Sequence, residues 1–137
     1  MEKYILATDI KVICVTATSF PQGIQLAYKT LHDLLNGETR RVFGISHSSK
    51  EGAIIYRAAA EEAYEGEAEK LHCERFTIRK GAYISETLKD WKKDETIVAR
   101  TFQQLLANPD LDPEGYCLEM YPNGTDMICL VKLKSDD

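Results

Sequence analysis

The chain has 137 residues, 44% hydrophobic and 28% charged, with 22 acidic against 17 basic side chains and a formal net charge of −5. That length suits one domain with a core of its own, and the composition excludes a fibrous or disordered chain. The acidic balance, with basic residues only as the pairs Arg40-Arg41, Arg79-Lys80 and Lys92-Lys93, argues against direct nucleic-acid binding, which needs a concentrated basic surface. Cys14, Cys73, Cys117 and Cys129 lie too far apart for a zinc-type cluster, so neither a metal nor a cofactor is expected. The first residues lack the apolar run of a secretory signal and no stretch reaches the length of a membrane span, so the expected location is cytoplasmic, away from the membrane.

Taken in order, Ile10 to Thr18 is rich in β-branched residues and predicts a strand. Ser19 and Gln22 have the spacing of a capping box, and Leu26, Ala27, Leu31, Leu34 and Leu35 mark the apolar face of a helix ended by Asn36-Gly37. Arg41 to Ile45 and Ala53 to Ala59 predict a hairpin around the polar loop 46–52, in which His47 sits. The charged segment 61–70 reads as a linker outside the core.

The second half repeats the order. Leu71 to Ile78 predicts a strand and Lys80-Gly81-Ala82 a turn. Asp94 caps a helix with the face Ile97, Val98, Phe102, Leu105 and Leu106, and two strands over Gly115 to Tyr121 and Asp126 to Leu133 flank the hairpin signal Asn123-Gly124. The apolar positions of the two helices correspond one to one at a separation of 71 residues, from Leu26 and Ile97 to Leu35 and Leu106. An internal duplication follows: repeat one over about 9–60, a linker over about 61–70 and repeat two over about 71–134, with a cleft between the repeats as the expected ligand site.

The residue that points to chemistry is Glu119. Strand alternation puts Tyr116, Leu118 and Met120 on one face and Cys117, Glu119 and Tyr121 on the other. A carboxylate between an aromatic ring and a thiol is either a solvated sheet residue or a pocket acid with a partner. Tyr121, Tyr56 and Trp91 are the candidate walls; His47 and Tyr83 are rim candidates, with the bland readings of a surface histidine and a structural turn tyrosine beside them. No catalytic constellation is legible from spacing.

These segments resemble the GyrI-like family, the effector-binding domain of bacterial transcription activators, in its stand-alone form. The resemblance rests on Phe76-Thr77-Ile78-Arg79-Lys80-Gly81-Ala82-Tyr83, on Leu118-Glu119-Met120-Tyr121, and on Phe43-Gly44-Ile45 with Ile55-Tyr56-Arg57-Ala58. It implies an α+β fold: two pseudo-symmetric strand-helix-strand-strand repeats forming one curved, mainly antiparallel sheet, with helices on one face and a small-molecule pocket on the other. It places the pocket carboxylate at Glu119 and implies a protein that senses or sequesters an amphipathic, cationic aromatic ligand. It also implies two alternatives, a hydrolase of strained electrophiles using Glu119 and a module for a protein partner such as gyrase or a DNA-binding regulator. Trp91 departs from the common pattern. Heme-binding proteins of the SOUL family resemble the same duplicated architecture.

Overall fold

A computed structural model describes residues 1–135 as two units, one spanning Asp9–Ile78 and the other joining Met1–Thr8 to the chain from Arg79 onward. In the Asp9–Ile78 unit the elements are β2 (Ile10–Thr16), α1 (Ile24–Leu34), β3 (Val42–Ser48), β4 (Ile54–Glu61), α2 (Glu67–Leu71) and β5 (Glu74–Ile78), following β1 (Glu2–Leu6) of the other unit. The second unit adds to β1 the elements β6 (Gly81–Leu88), a short 3-10 turn (Trp91–Lys93), α3 (Thr96–Leu105), β7 (Cys117–Met120) and β8 (Met127–Lys132). Pairing within each unit is antiparallel throughout, in the orders β3-β4-β2-β5 and β1-β6-β8-β7. The class is α+β.

The order strand-strand-helix-strand-strand occurs twice, but the first strand of each set belongs to the other unit's sheet: β1 pairs with β6, and β5 pairs with β2. The strand expected over 71–78 is therefore not the counterpart of Ile10–Thr16. That counterpart is β6, whose first residue Gly81 lies 71 positions after Ile10. β1 and β6 have no strong apolar alternation; they form because each finds a partner edge, and buried Ser85 on β6 is satisfied by donating to the Glu2 carbonyl at 3.0 Å.

Each unit has a helix on one sheet face. Ala27, Leu31 and Leu35 recur every four residues on α1 and pack against Ile13, Ala58 and Ala60. On α3, Leu105 packs with Leu88, Met127, Cys129 and Val131. Leu26 and Leu106 were expected on these faces but are 59% and 50% exposed, each lying at the margin of its apolar stripe. The capping box at Ser19 does not form. α1 begins later, after Gly23, whose N–H donates to the Ser19 carbonyl at 3.1 Å and where a Cβ would stand 2.8 Å from that oxygen. At α3, Asp94 accepts the Thr96 N–H at 3.2 Å, one residue ahead of the cap position.

Two loop expectations are corrected. β3 runs through Ser46 and Ser48, so His47 is a strand residue, because Ile55 and Ile54 offer pairing partners beyond the predicted hairpin. The segment 61–70 is not an external linker: Ala68 is buried in the α1 core, and Glu67 is 3% exposed because Arg40 neutralises it through two contacts of 2.6 Å. Of Glu61, Glu62, Glu65, Glu67 and Glu69, all but Glu65 pair with Arg41, Arg75 or Arg40. The run therefore offers a basic partner much less charge than its sequence suggests.

Burial also sets thiol chemistry. Cys14 and Cys129 are 1% and 0% exposed, and burial pushes both thiols up to about 12. In native protein at pH 8, iodoacetamide is expected to label half-buried Cys73 and Cys117 first and to reach Cys14 and Cys129 only in denaturant, as peptide mass mapping would record. Equal labelling of all four in the native state would contradict this packing.

Candidate functional site

β7 turns Cys117, Glu119 and, just past its end, Tyr121 to one face, and that face is the one α3 covers: Cys117 and Tyr121 pack around Leu105, Cys129 and Val131. Glu119 stands half-buried between them. It faces Cys129 on β8, which has Glu86 of β6 opposite its other side, so one row across three strands reads Glu86, Cys129, Glu119. The helix-free side expected for the pocket acid is therefore not where Glu119 lies.

The Tyr121 hydroxyl donates to Glu119 Oε1 at 2.9 Å, and the Trp91 ring packs against the Tyr121 ring at 6.2 Å with an interplanar angle of 47°. Trp91 and Tyr121 are both half-buried at the edge of the α3 core. Lys92 Nζ stands 5.7 Å over the Trp91 ring, a cation on an indole face. The local field is negative: after burial, Glu119 is the largest cause of the raised Cys129 thiol pKa, with Glu86 also contributing. Glu86 itself is paired with the N-terminal ammonium at 3.0 Å. The arrangement sets a half-buried carboxylate beside two packed rings.

Trp91 is held by a residue that the sequence reading did not single out. Asp126, 6% exposed, accepts the Asp90 N–H at 3.2 Å, Lys89 Nζ at 3.0 Å and Asn123 Nδ2 at 3.1 Å, while the Trp91 N–H donates to the Thr125 carbonyl at 3.3 Å. Hydrogen bonds from Asn123 and then Lys89 hold the Asp126 carboxyl far below the usual carboxylate range. Asn123 Oδ1 accepts from the Thr125 and Asp126 N–H groups, so the turn is built on the Asn side chain. The Asn-Gly signal marked this turn, but nothing in sequence tied it to Trp91.

The remaining candidates have other partners. Tyr83 is on the opposite face of its sheet, fully buried, with its hydroxyl donating to the Arg79 carbonyl at 2.5 Å and lying 2.7 Å from that of Tyr116. Tyr56 belongs to the Asp9–Ile78 unit and points toward α1, 4% exposed, with its hydroxyl 2.9 Å from that of Tyr28 and its ring stacked on Phe20 at 6.1 Å. His47 is on the other face of that sheet. Its Nε2 is 2.7 Å from Arg57 Nη1, and since a guanidinium only donates, Nε2 is the acceptor. Arg57 Nε also donates to Glu74 Oε2 at 3.0 Å, so the histidine ends a polar chain across the strands. Within the second unit Glu119, Tyr121 and Trp91 come together, and Tyr83 faces the other side of the sheet. Among the described residues no group of three or more His, Cys, Asp or Glu could hold a metal ion, and no helix is long and apolar enough to cross a membrane.

Comparison with known proteins defines the fold alone. No protein-family model matches the chain, and no curated protein matches it. Among solved structures, SAV2435 bound to tetraphenylphosphonium is similar at a TM-score of 0.65 and 14% identity, covering 98% of this chain and 95% of that one. A candidate bacterial transcription regulation protein from Staphylococcus aureus MU50 is similar at 0.58 and 13% identity, over 98% and 99% of the two chains. A hydrolase from Listeria innocua is similar at 0.56 and 11% identity, over 97% and 91%. The likeness spans both units, and the antiparallel α+β fold of the chain is that of these neighbours.

Proposed function

We propose that the protein is a GyrI-like binding protein that takes up an amphipathic aromatic cation, with Glu119 as charge anchor and Tyr121 and Trp91 as the walls. The observation that carries this reading is the half-buried Glu119 bonded to Tyr121, whose ring packs on Trp91. A carboxylate in such surroundings is incompletely solvated, so a cation gains more from meeting it there than it would at an open surface. Support comes from the neighbour SAV2435, whose structure holds tetraphenylphosphonium, a cation that carries four aromatic rings. The regulator-like neighbour favours sensing or sequestration linked to transcription regulation.

Trp91 is the single tryptophan of the chain and therefore a built-in reporter. Titration with tetraphenylphosphonium is expected to change its emission saturably, and Tyr121→Phe, which removes the donor to Glu119 but keeps the ring, is expected to alter the affinity by a few-fold at most. An emission that drifts linearly with cation concentration would overturn the reading.

A hydrolase reading has one observation in its favour, the Listeria neighbour of that description. Glu119 would then act as general base on water, with Tyr121 orienting it. Product formation from an electrophilic substrate, lost in Glu119→Gln, separates turnover from simple binding.

A further inference from the structure

Lys92 carries a charge of the same sign as the ligand proposed for the Glu119 site, and it already stands on one of the two rings of that site. Its neighbours in the chain are tied to carboxylates: Lys89 Nζ lies 3.0 Å from Asp126 Oδ2, and Lys93 Nζ lies 3.9 Å from Asp90 Oδ2. Lys92 has no carboxylate partner among the described residues. Its side chain is exposed, and its ammonium group stands over the indole of Trp91, 5.7 Å from the ring centroid. The backbone carrying both residues is held in place, because the Trp91 N–H donates to the Thr125 carbonyl at 3.3 Å, the Lys93 N–H to the Asp90 carbonyl at 3.0 Å and the Asp94 N–H to the Trp91 carbonyl at 3.2 Å. Lys92 therefore stays within reach of the ring.

An indole face attracts a cation through the ring quadrupole, and the same face offers the flat surface that an aromatic cation would cover. A ligand laid against Trp91 thus meets Lys92 twice, as a group already seated on the ring and as a like charge. At an exposed position such a contact is weak, so it lowers affinity without closing the site. The ammonium group is strongly hydrated and sits on a flexible stem, which lets it swing out into water when a better partner for the ring arrives. A cation without aromatic surface gains too little to displace it, whereas one that brings several rings gains more than the lysine loses. We infer that Lys92 is a built-in competitor for the Glu119 site, its ammonium group holding the place on the Trp91 ring that an aromatic cation takes up. This inference rests on the assignment of Glu119, Tyr121 and Trp91 as that site.

The test is isothermal titration of tetraphenylphosphonium into wild type, Lys92→Gln, Lys92→Arg and Lys93→Gln at one ionic strength. Both lysines are exposed, so the substitutions leave the packing untouched. Lys92→Gln takes the cation off the ring and is expected to lower the Kd about three- to fivefold, the range that an exposed cation–π contact spans. Lys93→Gln, which changes the net charge equally but has Asp90 as its partner, is expected to change the Kd by less than about twofold. Lys92→Arg keeps a cation that stacks well on rings and is expected to bind no tighter than wild type. An unaltered Kd in Lys92→Gln, equal tightening in Lys92→Gln and Lys93→Gln, or tightening in Lys92→Arg would each overturn the inference while leaving wild-type binding, and with it the Glu119 assignment, in place. Absence of binding in all four proteins would overturn the Glu119 assignment and the inference together.

Discussion

Glu67→Gln is expected to lower the unfolding free energy by about 3 kcal/mol, the low end of what breaking a buried ion pair costs, and to lower Tm by roughly 10 °C. The Arg40 side chain is 10% exposed and that of Glu67 4%; the guanidinium makes two parallel contacts of 2.6 Å to the carboxylate and a third, of 3.1 Å, to the Glu61 carbonyl. Glutamine keeps the shape and one acceptor but leaves Arg40 without its main countercharge. The pair joins α2 to the chain between α1 and β3, so the cost falls on the attachment of the 61–70 segment. The variant Arg40→Met with Glu67→Leu removes both charges and is expected to recover most of the loss. Urea denaturation of the three proteins checks this, and a loss below about 1 kcal/mol in Glu67→Gln would mean that solvent already screens the pair.

The same pair sets a pH dependence. Hydrogen bonds from Arg40 hold the Glu67 carboxyl below its ordinary range, as Arg41 does for Glu61. A carboxyl with a depressed folded-state pKa adds stability that is present above its unfolded value of about 4.3 and lost as pH falls through the folded value. Wild-type stability is therefore expected to fall in acid below about pH 4, and Glu67→Gln to fall less steeply over the same range.

Local chemistry that satisfies itself was readable in the residues. The four-residue recurrence of Ala27, Leu31 and Leu35 gave one helix and that of Leu105 with Ile97, Val98 and Phe102 the other, and the 71-residue spacing holds for the strands β2 and β6 as well as for the helices. What depended on distant partners was not readable. β1 is a strand because β6 offers it an edge, β6 because it lies between β1 and β8, and β5 joins β2 although it stands first in the second set. Glu67 looked like a solvated charge because Arg40, 27 residues earlier, is invisible to a local window. Likewise, alternation correctly grouped Cys117, Glu119 and Tyr121, but not the side of the sheet on which a helix would lie. Tyr56 and His47 are expected beside Glu119 as wall and rim of a cleft between the repeats; the local partners that hold them, Tyr28 and Phe20 for the one and Arg57 with Glu74 for the other, are again distant in sequence.

In the proposed site the Glu119 carboxylate, set between Cys117 and Tyr121, anchors a cation. Isothermal titration of wild type and Glu119→Gln with an aromatic phosphonium cation, and with a neutral aromatic analogue of the same shape, isolates that charge. Glu119→Gln is expected to raise the Kd of the cation by about thirtyfold, near 2 kcal/mol, while leaving the neutral analogue and the unfolding midpoint unchanged. A cation affinity that stays within about twofold of wild type would contradict it.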